Sequence, residues 1–299
     1  MKYWNQKTQL SAFIPADLNS PLRQALTSSV GFLRDEPTSR YESLRGRLHG
    51  RLVIVYSSGK VVYEQSEETR HVIERILYGK YSQEGVIVGS DEAGKGEVAG
   101  PLVIAAVALD PRQASYLQSM GVADSKVVPE GMMGGLANAI RLESIAHKVL
   151  TIEPFRFNEL FDASKSIGKN LNDILAWGHG RVLQAVIQGL PMKPGKIIVD
   201  EFDSSKKKAK TRVIEGLLEG ERIQAMPHAG GAPSVAAASI LARSSYLTWI
   251  KRNLTQSRIQ QIESRRYDTI SSQPDVRRYF KVSYLAKLAQ RKPPKREET

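Results

Sequence analysis

The stretch Val86–Pro101, VIVGSDEAGKGEVAGP, decides the fold, together with the apolar run Leu102–Leu109 (LVIAAVAL) that follows it. Its first residues read as a buried strand that stops on two acids, Asp91 and Glu92. A glycine-rich turn, Gly94-Lys95-Gly96, comes next and leads into a second strand. The same ending recurs downstream, where Lys196–Phe202 (KIIVDEF) carries Asp200 and Glu201 after Ile197-Ile198-Val199. Carboxylates at strand ends in an α/β fold meet in the crevice beyond the sheet, where ligands bind. Grouped carboxylates repel unless cations bridge them, and oxygen-only ligands suit hard ions such as Mg²⁺ or Mn²⁺. Two such ions roughly 3.5–4 Å apart can activate water and stabilise a leaving oxygen in phosphodiester hydrolysis. Acids at strand ends can equally be solvated or cap the next helix, and the residues alone leave both readings open.

Outward from this centre the chain alternates strands and helices. Helical spacing covers Arg112–Met120 and Gly134–Ile145, then Pro154–Ala163 and Asn172–Gly189, with a strand at Lys148–Glu153. A short strand is expected at Arg222–Met226, and a helix capped by Ser234 over Ser234–Arg252. One basic amphipathic helix is expected over Val276–Gln290, ended by Pro293-Pro294. Mixed elements of this kind indicate an α/β layer fold. Residues 1–80 read as a separate small α+β unit. Arg45–Gln65 alternates apolar and polar residues around Ser57-Ser58-Gly59-Lys60, a hairpin pattern. A helix N-capped by Ser66 follows, with Val72, Ile73, Ile76 and Leu77 on one side, and Leu22–Leu26 is a further short helix. The expected division is therefore 1–80, a linker at 81–86, a second domain at 87–290 and a basic tail at 291–299.

Composition narrows the function. The 299 residues carry a net charge of +12, and from Lys251 onward 13 Lys/Arg stand against 5 Asp/Glu. Such a bias attracts polyanions, above all nucleic acid. With no cysteine, disulfides, zinc-thiolate sites and thiol nucleophiles are excluded. No apolar run is long enough to span a bilayer and the N-terminus lacks a secretory layout, so the expected setting is cytoplasmic, away from membranes.

These motifs bear a resemblance. Asp91–Pro101 closely resembles the opening motif of the type 2 ribonucleases H, and further matches follow in that family's order. Asp124-Ser125-Lys126 is similar to its Asp-Ser-Lys, and Asn172–Leu183 to its long central helix. Ile197–Phe202 is similar to its third-acid strand, and Ser234–Arg243 to its Ala-rich helix. Lys95 in the glycine turn and the extra N-terminal unit resemble the ribonuclease HIII branch. The resemblance implies a ribonuclease H-like mixed-sheet catalytic domain preceded by a small TATA-binding-protein-like α+β domain. It also implies a monomeric, divalent-metal-dependent endoribonuclease that cuts the RNA strand of RNA:DNA hybrids.

Carried over residue by residue, Asp91, Glu92 and Asp200 are the catalytic metal ligands, for Mg²⁺ or Mn²⁺ and two ions. The backbone of Gly94, Lys95 and Gly96 contacts ribose 2′-hydroxyls, which distinguish RNA from DNA. Ser125 and Lys126 are candidate phosphate contacts, and Tyr56 and Lys60 are weaker ones in the N-terminal unit. In one place the pattern breaks. The family's fourth acid falls on Ala229, and no Asp or Glu occurs between Glu221 and Glu263. His228 is a candidate replacement, whereas Glu201 should point away from Asp200 because adjacent strand residues face opposite ways. A binding protein that does not cut is thus the main rival. A dinucleotide-binding oxidoreductase fails on the GxGxxxG spacing and the strand that follows it. No G-x-S-x-G elbow is present, and His179 is assigned to a structural helix.

Overall fold

Alternating side chains build the first layer. The structure, a computed structural model, describes residues 9–200, 209–219, 221–226 and 229–289. Strands β1 (Gln9–Phe13), β2 (Phe32–Arg34), β3 (Glu42–Leu48), β4 (Arg51–Tyr56) and β5 (Lys60–Glu64) form an antiparallel sheet ordered β1-β5-β4-β3-β2. Leu44, Leu48, Val53, Val55, Val61 and Tyr63 face inward, in one core with α1 (Asn19–Thr27) and α2 (Glu67–Tyr81). The Ser66 hydroxyl caps α2 by accepting the Thr69 N–H at 3.2 Å, as its sequence indicates.

The hairpin around Ser57–Lys60 is present as β4–β5. The run from Arg45 to Tyr56, read as one strand, is two. His49 and Gly50, with φ of 49° and 78°, reverse the chain between β3 and β4. Two positive φ values in a two-residue turn match the twist of the paired strands. The alternation continues unbroken through this turn, so periodicity alone does not mark it.

The second sheet contains β6 (Ile87–Ala93), β7 (Leu102–Leu109), β8 (Ala146–Ile152), β9 (Lys196–Asp200) and β10 (Gln224–Met226), ordered β10-β9-β6-β7-β8. β10, β9 and β6 run parallel, while β7 is antiparallel to both β6 and β8. All eight residues of β7 are buried, as its unbroken apolar run requires of a central strand covered on both faces. One face packs against α3 (Pro111–Ser119), α4 (Glu130–Glu143) and α8 (Pro233–Asn253). The other is covered by α5 (Pro154–Ser166), α6 (Leu171–Gln188) and α7 (Ala209–Leu217). No helix among the described residues is long and apolar enough to cross a membrane.

Two expected helices differ. α8 starts at Pro233 with Ala232 as its N-cap, so Ser234 is inside the helix and caps nothing. Proline is preorganised for the first helical position, and that signal outweighs the serine. Its neighbour Gly89 leaves the room this needs, since a Cβ there would collide with Ser234 and Val235. At the C-terminus, α9 (Gln256–Glu263) and α10 (Tyr267–Ser271) precede α11 (Val276–Tyr279) and α12 (Val282–Ala289). The last two replace the single helix expected from the amphipathic pattern. It is interrupted at Phe280–Lys281, where Phe280 is extended and forms a β-bridge to Ala99.

The small sheet docks on α3. Tyr63 donates its hydroxyl to the Ser119 carbonyl, and Tyr81 donates to Gln118 Oε1 at 2.9 Å. Gln118 Nε2 in turn donates to the Phe13 carbonyl at 2.6 Å. One apolar cluster runs from β1 and β5 through α3 to α8.

Candidate active site

Strand register brings two of the acids together. β6 and β9 are parallel, with Ser90 beside Val199, so the next step sets Asp91 beside Asp200 at the C-terminal ends of both strands. Both face α8, because the alternating partners Val88, Ile197 and Val199 are buried on the α6 side. Glu92 therefore faces the opposite way, toward α6. The alternation that separates Asp200 from Glu201 in sequence separates Asp91 from Glu92 too, although the motif sets all three ligands in one group.

Each carboxylate has its own surroundings. Asp91 Oδ1 accepts the Glu92 N–H at 2.8 Å. Burial, then the neighbouring Glu92 charge, push the Asp91 carboxyl up to about 7, against hydrogen bonds from Glu92 N–H and Ser239. Burial also acts to raise the Glu92 carboxyl, but His179 and Lys95 outweigh it and hold it below the usual range. His179 Nε2 is 3.2 Å from Glu92 Oε2, and Lys95 Nζ is 3.3 Å from Oε1. The other ring nitrogen of His179 is 2.9 Å from Ser90 Oγ. Because a carboxylate only accepts, Nε2 carries a proton.

All the principal sequence candidates share one cleft of about 670 Å³. Asp91, Glu92 and Asp200 line it with Gly94, Lys95 and Gly96, and Ser125 and Lys126 form part of the same wall. Ser125 Oγ is 2.7 Å from Ser239 Oγ on α8, so this hydroxyl is tied to the Asp91 surroundings. Lys126 is exposed, 4.0 Å from Asp124. Tyr56 and Lys60 belong to the small sheet and are not among the lining residues. Arg243 on α8 adds a cation that the sequence motifs do not single out.

At the expected place of a fourth acid, Ala229 is buried and its N–H donates to Asp200 Oδ1 at 2.9 Å. The neighbouring Gly230 leaves room for Asp124, whose carboxylate would lie 2.7 Å from a Cβ there. His228 and Glu201 lie outside the described residues. The donor set is all oxygen and suits a hard cation. The raised Asp91 carboxyl is a group short of positive charge. Among the described residues, no three His, Asp or Glu side chains are grouped closely enough to enclose an ion unaided. Asp91 and Asp200, side by side on the α8 face, are the carboxylates that could share one, and Glu92 lines the same cleft.

Sequence reasoning missed His179. It occupies the buried stripe of α6 with Leu175, Val182, Leu183 and Val186. A lone histidine on such a stripe needs a buried polar partner, and that is the available signal.

The family model described as Ribonuclease HII matches residues 88–291. A ribonuclease HIII of Protochlamydia amoebophila is 34% identical over 219 residues, covering 68% of each chain. The ribonuclease HIII of Chlamydia trachomatis serovar D is 33% identical over 219 residues, covering 69% of this chain and 70% of its own. Among solved structures, Bst-RNase HIII in complex with Mn²⁺ superposes with a TM-score of 0.56 at 20% identity, covering 95% of this chain and all of that one. At that identity the superposition speaks for the fold, whereas the family model and the chlamydial relatives carry the kinship. With the strand-end acids, the glycine turn and the mixed sheet in their expected order, the chain belongs to the ribonuclease HII/HIII family and is most similar to ribonuclease HIII.

Proposed function

We propose that this ribonuclease H cuts the RNA strand of RNA:DNA hybrids with divalent cations held by Asp91, Asp200 and Glu92. The observation that carries the reading is the parallel register that sets Asp91 beside Asp200 at the cleft floor. Mg²⁺ and Mn²⁺ both suit these ligands, and the solved relative Bst-RNase HIII is a complex with Mn²⁺. When two ions are bound, they supply an activated water and stabilisation of charge on the departing oxygen.

The chain's own groups do the rest. Ser239 and the Glu92 N–H hold Asp91 in place, while His179 fixes Glu92 from the α6 side. Lys95, Lys126 and Arg243 place positive charge around the cleft for phosphates. Gly96 has no structural need to be glycine. Its φ is not positive, and a Cβ would meet nothing within 4 Å. An absent side chain facing open cleft lets a ribose approach the backbone closely. We read the enzyme as a monomer, as the family resemblance implies, in the cytoplasmic setting that its composition suggests.

Ala229 supports a second reading, in which the chain binds hybrids and cuts weakly or not at all. A labelled RNA:DNA duplex incubated across Mg²⁺ and Mn²⁺ concentrations separates the two. Cleavage lost in Asp91→Asn with hybrid binding retained supports the enzyme. Absence of cleavage by the unmutated protein with either ion overturns it.

A further inference from the structure

The interruption between α11 and α12 delivers a lysine to the back of the glycine turn. Lys281 is fully buried, and no carboxylate among the described residues is within ion-pair distance of it. Its ammonium instead donates to backbone carbonyls of Gly94 and Glu97, each at 3.0 Å, and of Gly100 at 2.8 Å, with Pro101 further off at 3.4 Å. One turn of helix later, Tyr284 donates its hydroxyl to the Lys95 carbonyl at 2.7 Å. Backbone pairing fixes the approach: the Gly100 N–H donates to the Tyr279 carbonyl at 2.9 Å and the Lys281 N–H to Val98 at 2.8 Å. From the other side, the Asn158 amide of α5 holds Phe280 and Val282. A buried ammonium is costly to desolvate, and burial pushes Lys281 down to about 7; the carbonyl dipoles, the Phe157 ring 5.5 Å away and the Glu97 charge offset that cost in part. Packing does not require a cation at this place.

Peptide geometry gives the arrangement a purpose. In a planar trans peptide the C=O of one residue points opposite to the N–H of the next. With the Gly94 and Lys95 carbonyls drawn toward Lys281 and Tyr284, the Lys95 and Gly96 N–H groups are aimed the other way. These same residues line the cleft. We propose that Lys281 and Tyr284 are positioning residues for RNA selectivity: they anchor the carbonyls of 94–101 so that the turn presents its amides to ribose 2′-hydroxyls. The inference rests on the hybrid-cutting reading and names the parts that orient the selective surface.

The test uses the full chain, unmutated and as Lys281→Met and Tyr284→Phe, in EDTA so that nothing is cut. Affinities are measured for an RNA:DNA hybrid and for a DNA:DNA duplex of the same sequence. Hydrogen–deuterium exchange is followed over residues 94–101. Losing one neutral hydrogen bond in Tyr284→Phe should weaken hybrid binding about fivefold, with DNA duplex binding changed less than about twofold. Lys281→Met should weaken hybrid binding about tenfold or more and speed exchange in 94–101, while β7 amides stay protected. Parallel losses on both duplexes, or unchanged exchange in 94–101, would overturn the proposal. If Lys281→Met does not fold, Tyr284→Phe decides alone: an unaltered hybrid preference in it sinks the idea. Equal binding of both duplexes by the unmutated chain sinks the ribonuclease reading and this selectivity with it. A hybrid preference that persists in both variants sinks only the present inference.

Discussion

Asp91→Asn should make the metal-free protein more stable as it removes cleavage. Folding raises the Asp91 carboxyl from 3.8 to about 7, through burial first and then the Glu92 and Asp200 charges. A group that binds its proton more tightly when folded contributes stability below pH 3.8, and that contribution is lost as pH rises to 7. The interval sets a ceiling of about 4 kcal/mol, and because Asp91 and Glu92 share the burden, about 2 kcal/mol is expected. Asparagine keeps the shape and does not titrate. Its oxygen can accept the Glu92 N–H, and its amide can donate toward Asp200. Urea denaturation in EDTA should show Asp91→Asn ahead by about 2 kcal/mol at pH 8 and by less than half of that at pH 5. In melting experiments this corresponds to a gain of about 4–8 °C at pH 8. Added Mg²⁺ or Mn²⁺ should raise the melting temperature of the unmutated chain and leave the variant nearly unmoved. A variant less stable than the parent at pH 8, or a difference that ignores pH, would refute the argument.

Three further substitutions probe the site. Gly94→Ala forces a side chain onto a residue with φ of 82°, where the Cβ would collide with the Pro101 carbonyl. It should lower stability by about 2 kcal/mol or more and cleavage with it, read by denaturation and by duplex assay. His179→Phe leaves Ser90 and Glu92 without their buried partner. It should cost about 2–3 kcal/mol, and unfolding curves equal to the parent's would contradict the assigned network. Ala229→Asp sets another carboxylate beside Asp200. It should lower metal-free stability by about 1–2 kcal/mol and lower the divalent concentration for half-maximal cleavage; an unchanged metal titration would count against a site limited by that position.

Much of the centre could be read from sequence because it rests on short-range rules. An apolar run ending in Asp91 and another ending in Asp200 announce two strand ends, and LVIAAVAL announces a central strand. Other features depend on contacts remote in sequence. Nothing near His179 shows that Glu92 waits on the strand it packs against, 87 positions away. The break at Phe280–Lys281 is invisible to periodicity, since the amphipathic pattern runs straight through it. Its cause is a pairing with Ala99 far upstream. The reversal at His49-Gly50 is hidden for the opposite reason, by alternation too regular to show a seam.

The parallel register of β6 and β9 has a consequence for how this site tolerates change. Ile197 and Val199 anchor β9 in the core between α6 and the sheet, so the strand cannot slide to adjust its last residue. A single inserted or deleted residue within Lys196–Val199 would keep a strand-forming sequence yet turn Asp200 to the opposite face. Substitutions around the cleft can therefore be graded in effect, whereas length changes in β9 act as all-or-none events. The spacing of the two acids is inherited from core packing and cannot drift independently of it.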